Sequence, residues 1–203
     1  MIQILFFVYL SMLELNSKLA DFLTSFSTIP FISILADLPI FFLPCFLWGM
    51  WLYYTFVNQE KDKRTHLLHI LYACIVGMIL SFVIKQFVDI ERPESYIEST
   101  RSLLLWKIPE KSFPSDHATI SFAFTTALFF TKFYKVGYIF LPLVIIMNLS
   151  RIIVGVHWPL DIIAWSILGV FSAIIFFSRL RELKLVKYFD VTIIKIMKAL
   201  HLY

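Results

Sequence analysis

Charged residues are scarce in this sequence. Asp, Glu, Lys and Arg make up 16% of the 203 residues, whereas 60% are hydrophobic. Soluble domains contain roughly 45–50% apolar residues, so this composition excludes an ordinary water-soluble domain. The stretch Leu38–Val57 contains no charged residue, and at about 1.5 Å per residue it is long enough to cross a hydrocarbon core of roughly 30 Å. We predict a membrane-spanning helix there.

Cysteine is also rare, and its placement excludes two kinds of site. Cys45 and Cys74 both lie within apolar stretches without metal-binding neighbours, which excludes a disulfide framework. Carboxylate or Cys/His clusters with metal-ligand spacing are absent too, so we predict no metal and no cofactor. The N-terminus lacks the features of a secretory signal, and we expect Met1 to belong to the mature chain. Without internal repeats or linkers, residues 1–203 are predicted to form a single domain.

Five apolar segments predict an all-α, polytopic transmembrane helix bundle. They are Leu38–Val57, Leu67–Ile84, Ala118–Thr131, Val136–Leu149 and Ile162–Phe177. Residues 2–13 are apolar but short, and charged residues follow from Glu14. The N-terminal region, residues 2–24, is therefore either an interfacial helix or a sixth span.

The distribution of basic residues predicts the orientation of the bundle. The loop Asn58–Arg64, the turn Lys132–Lys135 and the tail from Arg179 lie on one side if the five segments alternate in direction. The positive-inside rule makes that side cytoplasmic. The long segment Asp89–Pro114 and the link Gly155–Pro159 are then extracytoplasmic, so the catalytic loop is expected outside.

The C-terminal tail, about residues 181–203, has an amphipathic pattern. Its apolar residues recur at helical spacing, and they are Val186, Phe189, Ile193, Met197 and Leu200. Most of its lysines fall elsewhere on the helical wheel, so we predict a basic helix on the cytoplasmic leaflet. Membrane topology therefore explains the net charge of +4 better than nucleic-acid binding does.

Three polar clusters stand beside the apolar segments, and the first is cationic. Lys85 ends the second segment, and Arg92-Pro93 follows after six residues. A lysine at a helix end often only reaches towards the membrane surface. Arg92 adds a permanent charge that can fork onto two phosphate oxygens. The positive-inside rule does not place such cations outside, whereas an anionic substrate accounts for them.

The second cluster, Phe113-Pro114-Ser115-Asp116-His117, directly precedes the third segment. Pro114 and Ser115 mark a helix start, where backbone N–H groups can bind an anion. Ser115 is either a simple N-cap or a ligand of that anion. His117 offers a proton donor at neutral pH.

The third cluster joins the fourth and fifth segments and contains Ser150-Arg151, His157 and Asp161. His157 and Asp161 are four residues apart, which places them on one face if the fifth helix begins near His157. A carboxylate that accepts a hydrogen bond from one ring nitrogen leaves the other nitrogen available to attack. The predicted topology brings all three clusters to one membrane face, and together they are typical of a phosphoryl-transfer site.

These signatures, in this order and spacing, resemble those of the type 2 phosphatidic acid phosphatase superfamily, which is related to vanadium haloperoxidases. They bracket residues 85–161. Asp116 stands where that superfamily usually has Gly. With Asp at position 116, the second and third clusters are similar to those of the bacterial undecaprenyl-diphosphate phosphatases associated with bacitracin resistance. The resemblance implies that the chain dephosphorylates undecaprenyl diphosphate at the outer face of the cytoplasmic membrane, recycling the cell-wall lipid carrier.

The resemblance also implies residue roles. His157 would attack the terminal phosphorus and form a phosphohistidine, Asp161 would orient it, and His117 would protonate the leaving lipid phosphate. The phosphate would be held by cations and first-turn groups, namely Lys85, Arg92, Arg151, Ser115 and nearby backbone N–H groups. Asp116 belongs to this region and either supports His117 or faces water.

Alternative substrates stay open, because the catalytic groups would be the same for phosphatidylglycerol phosphate, phosphatidic acid or lipid A 1-phosphate. A membrane protein or transporter that binds phosphate without cleaving it is a further alternative. Binding alone needs cations but no oriented nucleophile, so the His157–Asp161 pair favours an enzyme. A soluble haloperoxidase is excluded by the five apolar segments. The expected partners are membrane lipids and a polyprenyl or other lipid phosphate, and the oligomeric state is open.

Overall fold

A computed structural model describes residues 14–28, 31–87 and 115–202, and these residues are mostly helical, with no β-strand among them. Residues 2–13, the segment Asp89–Pro114 and its Arg92 lie outside the described residues. The described chain begins in a helix over residues 14–24, which we label α1.

The remaining helices follow in chain order. They are α2 (Ile32–Asp37), α3 (Phe42–Phe56), α4 (Lys61–Lys85), α5 (Asp116–Phe129), α6 (Tyr134–Ile153), α7 (Pro159–Ser178) and α8 (Lys184–Ala199). Two short 3-10 helices, Leu38–Phe41 and Leu180–Glu182, join α2 to α3 and α7 to α8.

Four stretches of the described chain are long and apolar enough to cross a membrane: Ile32–Phe56, Lys61–Lys85, Tyr134–Ile153 and Pro159–Glu182. This confirms the prediction of an all-helical chain with several candidate spans. The segment predicted over 118–131 forms α5, which has 14 residues. Such a helix is about 21 Å long, which is shorter than a hydrocarbon core of roughly 30 Å. A fifth or sixth span therefore stays a prediction.

Helix α5 is the central helix of the bundle and packs against α4, α6 and α7. Small residues allow these close approaches. A Cβ atom on Gly169 of α7 would meet the backbone carbonyl oxygen of Thr119 on α5. A Cβ atom on Gly77 of α4 would lie 3.0 Å from Ser172 Oγ of α7. Helix backbones in membrane proteins approach closely where residues are small, and α5 is enclosed for that reason.

The C-terminal helix α8 lies within the predicted tail and is attached to the bundle by polar contacts. His69 Nε2 of α4 lies 3.2 Å from Asp190 Oδ2 of α8. Beyond α8, the carbonyl oxygen of Leu202 accepts hydrogen bonds from Trp51 Nε1 (2.8 Å) and Thr55 Oγ1 (3.1 Å). These contacts tie the tail to α3 and α4.

The ends of four helices meet at one end of the bundle. Ala118 of α5, Ile152 of α6, and Ile162 and Trp165 of α7 form a buried cluster, against which Ile84 of α4 packs. Each of these positions, apart from Trp165, is next in sequence to a residue of the three polar clusters. The fold therefore gathers the end of α4, the start of α5, the end of α6 and the start of α7.

Candidate active site

The turn between α6 and α7 determines how Arg151 and His157 face each other. Gly155 has a φ of 83°, a left-handed conformation that favours glycine. Val154 and Val156 on either side are fully buried and pack with Ile32 and Ala36 of α2. The glycine reverses the chain while the two valines anchor it, so the turn is closely defined.

His157 lies between a carboxylate and a guanidinium, and both partners belong to the third predicted cluster. Its Nδ1 is 4.0 Å from Asp161 Oδ2, and its Nε2 is 3.4 Å from Arg151 Nη2. All three residues are buried. Because a guanidinium only donates hydrogen bonds, the contact at Nε2 is favourable when that nitrogen is unprotonated. The ring proton of neutral His157 is then on Nδ1, facing Asp161.

Asp161 is held in place by the first turn of α7. The backbone N–H of Trp158 donates a hydrogen bond to Asp161 Oδ2 at 3.2 Å. The next N–H of the turn, that of Leu160, donates to Asn16 Oδ1 of α1 at 3.0 Å. Asn16 thus supplies a partner to an N–H group that a helix start leaves without an intrahelical acceptor.

Besides His157, Arg151 has a carboxylate partner that sequence reasoning missed. Arg151 Nη1 lies 3.2 Å from Asp37 Oδ1 and donates to the carbonyl oxygen of Ala36 at 3.1 Å. The Arg151 and Asp37 side chains are 5% and 2% exposed, so this is a buried ion pair. Asp37 is the only charged residue from Phe31 to Val57. An isolated carboxylate beside an apolar span was the signal that could have found it.

The start of α5 presents an unsatisfied hydroxyl group. Ser115 is the N-cap of α5, its side chain makes no capping hydrogen bond, and it is fully buried. Its Oγ has no hydrogen-bond partner among the residues that the structure describes. A buried hydroxyl without a partner is costly, so a ligand oxygen at this position would be stabilised. The helix N-terminus favours an anion there.

The two residues after Ser115 have different surroundings. Asp116 is exposed overall, but its Oδ1 accepts a hydrogen bond of 2.9 Å from Ser81 Oγ of α4. This contact links α4 to α5, and neither expectation for Asp116 included it. His117 is partly buried in the first turn of α5. Lys85, the last residue of α4, is exposed.

Of the eight predicted site residues, the seven that are described belong to the helix ends that meet in the shared cluster. Arg92 lies outside the described residues. In the described part of the chain, no group of three or more His, Cys, Asp or Glu side chains is arranged to hold a metal ion. The gathered groups provide two imidazoles, two cations and a hydroxyl, which suits the binding and transfer of a phosphoryl group.

The sequence model of the PAP2 superfamily matches residues 66–184 of this chain. The bacitracin transport permease protein BcrC of Bacillus licheniformis is 32% identical over 149 residues, which are 73% of this chain and 70% of that protein. The undecaprenyl-diphosphatase BcrC of Bacillus subtilis is 32% identical over 136 residues, covering 64% of each protein. The putative undecaprenyl-diphosphatase YbjG of Escherichia coli is 26% identical, covering 67% of this chain and 63% of that protein.

A solved structure has the same fold. The crystal structure of Aquifex aeolicus LpxE superposes with a TM-score of 0.63, covering 81% of this chain and 95% of that chain. The sequence identity of the pair is 21%, so the likeness concerns the fold alone.

Proposed function

Since this chain belongs to the PAP2 superfamily, whose sequence model covers more than half of its length, we propose that it hydrolyses undecaprenyl diphosphate to undecaprenyl phosphate and inorganic phosphate. The family resemblance predicted from the sequence is confirmed, and with it the enzyme class of a phosphatase. The substrate is proposed because two relatives that carry this activity in their names are 32% and 26% identical to the chain.

The orientation of the His157 ring is the observation that carries the proposed chemistry. Nε2 faces the guanidinium of Arg151, and Nδ1 faces the carboxylate of Asp161. The lone pair on Nε2 lies beside the Arg151 cation. A phosphate whose oxygens bind that cation would bring its phosphorus atom within reach of the lone pair. Asp161 would stabilise the positive charge that develops on the ring during the attack.

The reaction would then proceed in two steps. In the first, the bond from Nε2 of His157 to the terminal phosphorus forms and the bond from that phosphorus to the bridging oxygen breaks. His117 gives its proton to the departing lipid phosphate. In the second, water attacks the phosphohistidine and gives a proton to His117, the bond from phosphorus to Nε2 breaks so that Nε2 regains its lone pair, and inorganic phosphate leaves. Non-bridging oxygens would be held by Arg151, Lys85, Arg92, the Ser115 hydroxyl and backbone N–H groups at the start of α5.

The proposed site faces the outside of the cytoplasmic membrane. Apart from residues of the proposed site such as Lys85 and Arg151, many basic residues of the described chain lie at the other end of the bundle, where α4 begins, α5 turns into α6 and α8 packs. Lys132 of the α5–α6 turn pairs there with Asp62 of α4 at 3.3 Å. The positive-inside rule places that end in the cytoplasm. The whole chain, residues 1–203, is proposed to act as one domain.

The experiment that tests the function is turnover of a panel of phosphorylated lipids by the purified protein. We expect undecaprenyl diphosphate to be hydrolysed with a higher kcat/KM than phosphatidylglycerol phosphate, phosphatidic acid or lipid A 1-phosphate. A higher value for any of the three would transfer the assignment to that lipid. Binding without turnover of any of them would favour the non-catalytic alternative.

The nucleophile is tested separately with the variant His157→Gln. We expect this variant to lose turnover but still to bind substrate, because Arg151 and the start of α5 are retained. A phosphoenzyme isolated from the wild type in base, where phosphohistidine survives, should map to residue 157. A phosphoenzyme at His117, or an active His157→Gln variant, would contradict the assignment.

A further inference from the structure

An apolar cavity of about 600 Å³ lies between the α2–α3 segment and the α5–α6 pair. Its walls are formed by hydrocarbon and aromatic side chains, including Leu35, Leu143, Val144 and Met147. The volume is within the range of roughly 300–1,000 Å³ that is typical of small-molecule sites. Nothing in the proposed phosphoryl chemistry uses this cavity.

The position of the cavity along α6 connects it to the active site. Met147, Val144 and Phe140 line it, and these positions precede Arg151 by four, seven and eleven residues. Such spacing places them on the same helix face as Arg151. At about 1.5 Å per residue, the cavity begins about 6 Å from the arginine along the helix axis and continues for about another 10 Å.

Residues of α5 and α2 also connect the cavity to the active site. Ser121 of α5 lines the cavity and follows His117 by four residues, which is one helical turn. Leu35 of α2 also lines it, and the next two residues, Ala36 and Asp37, hold Arg151. The cavity therefore starts one turn below both the phosphate-binding arginine and the proposed proton donor.

We propose that this cavity binds the first isoprene units of the substrate's polyprenyl tail. The inference rests on the proposed function and adds a tail-binding site to it. His117 is the proposed proton donor to the departing lipid phosphate, so the tail leaves the active site on the His117 side. Ser121, one turn from His117, lines the cavity on that side, and the apolar walls match a hydrocarbon chain. Its volume is too small for a complete undecaprenyl tail, so the rest of the tail lies in the bilayer.

The first test fills the cavity and compares tail lengths. Leu143→Trp places a large side chain in the cavity, and Ile146→Trp is the matched control on the same helix. Leu143 and Ile146 are 49% and 47% exposed, and Ile146 does not line the cavity. We measure kcat/KM for undecaprenyl diphosphate and for the diphosphate of a single isoprene unit. The long-to-short ratio should fall roughly tenfold or more in Leu143→Trp and keep its wild-type value in Ile146→Trp.

An unchanged long-to-short ratio in Leu143→Trp would overturn the proposal, whether kcat/KM falls equally for both substrates or for neither. A third variant, Cys45→Trp, fills the cavity from α3 and should lower the ratio as Leu143→Trp does. If both filled variants fail to fold, binding to the wild-type chain decides the question.

That binding test uses Cys45, which is exposed and lines the cavity, while Cys74 is buried and serves as the internal reference. N-ethylmaleimide labelling of Cys45 should slow when undecaprenyl phosphate is added, and should not slow with inorganic phosphate. Protection by phosphatidic acid but not by undecaprenyl phosphate would overturn the tail assignment. Labelling does not need turnover, so it tests tail binding even if the wild type fails to hydrolyse undecaprenyl diphosphate. That failure would refute the proposed function but not the tail-binding site.

Discussion

Replacing Asp37 by asparagine removes the charge of a carboxylate that holds Arg151 while keeping the size of the side chain. The ion pair is 3.2 Å long and its side chains are 2% and 5% exposed. Loss of one partner of a buried pair costs about 3–5 kcal/mol, compared with about 0–1 kcal/mol for a surface pair. Since Arg151 keeps the carbonyl oxygen of Ala36 as an acceptor, we expect the lower value, about 3 kcal/mol.

Two measurements report this loss. For a domain of this size, about 3 kcal/mol corresponds to a fall of about 6–12 °C in Tm. The same free energy, if lost from transition-state binding, lowers kcat/KM by about 10²-fold. The matched control is Asp62→Asn, because Asp62 pairs with Lys132 at 3.3 Å but is 79% exposed. That control should change Tm by less than about 4 °C.

A double variant separates the structural part from the chemical part. In Asp37→Leu combined with Arg151→Met, two apolar side chains replace the buried pair, which is often neutral or stabilising. We expect Tm to return to within a few degrees of the wild type, while turnover is abolished because the double variant lacks Arg151. An Asp37→Asn variant with wild-type Tm and kcat/KM would refute the reasoning that the pair is needed to hold Arg151.

Four further predictions follow from the described geometry. Replacing His117 with Gln should reduce kcat less on a diphosphate than on a phosphate monoester, because a lipid phosphate is the better leaving group; equal losses would remove His117 as the proton donor. Activity should be unchanged in EDTA, since Arg and Lys supply the positive charge; a loss that Mg²⁺ restores would contradict this. In a variant without native cysteines, new cysteines at Gln86 and Lys61 should react with an impermeant reagent from opposite sides of the membrane, and labelling of both in intact cells would overturn the orientation. Gly169→Ala should destabilise the fold by about 1–3 kcal/mol through contact with α5, whereas Gly49→Ala, which has open space around its Cβ position, should not.

Much of the helical architecture could be predicted because each apolar segment is long and nearly free of charge. Leu38–Val57 and Leu67–Ile84 correspond to α3 and α4, whose last residues, Phe56 and Lys85, are each one residue from the predicted ends. The meeting of the three clusters could be predicted as well, since a bundle with alternating helix directions brings Lys85, His117 and Arg151 to the same end. These predictions depend on local composition and chain direction, which a single sequence carries.

The contacts that complete the site depend on tertiary packing instead. Asp37 and Arg151 are 114 positions apart in the sequence, and no spacing rule connects them. The same holds for Ser81 with Asp116, and for Asn16 with the start of α7. The sequence offered one usable signal, the lone carboxylate beside the first span, and the predicted span began one residue after it.

Helix α5 has the 14 residues of the predicted segment but begins two residues earlier, and its enclosure by other helices also depends on tertiary packing. The dominance of apolar residues over 118–131 predicts a span. The helix ends at Phe129, however, and Ser121 and Thr125 lie on its buried face. Hydropathy measures transfer into lipid, whereas most of this helix is covered by other helices. A helix enclosed by protein has no need to match the thickness of the bilayer.

The enclosure of α5 has a consequence for how the protein is made. While the chain is being synthesised, α5 emerges after α4 but before α6 and α7, and a short helix carrying Asp116, His117 and several hydroxyl groups partitions poorly into lipid by itself. Its closest neighbour, α7, is joined to it through Gly169 and Thr119. We therefore expect α5 to enter the membrane only after α7 has been inserted, so that the two histidines of the proposed site come together in one of the last steps of biosynthesis. Nascent chains truncated before Pro159 should then leave α5 accessible to aqueous reagents, whereas chains extended beyond Ser178 should protect it.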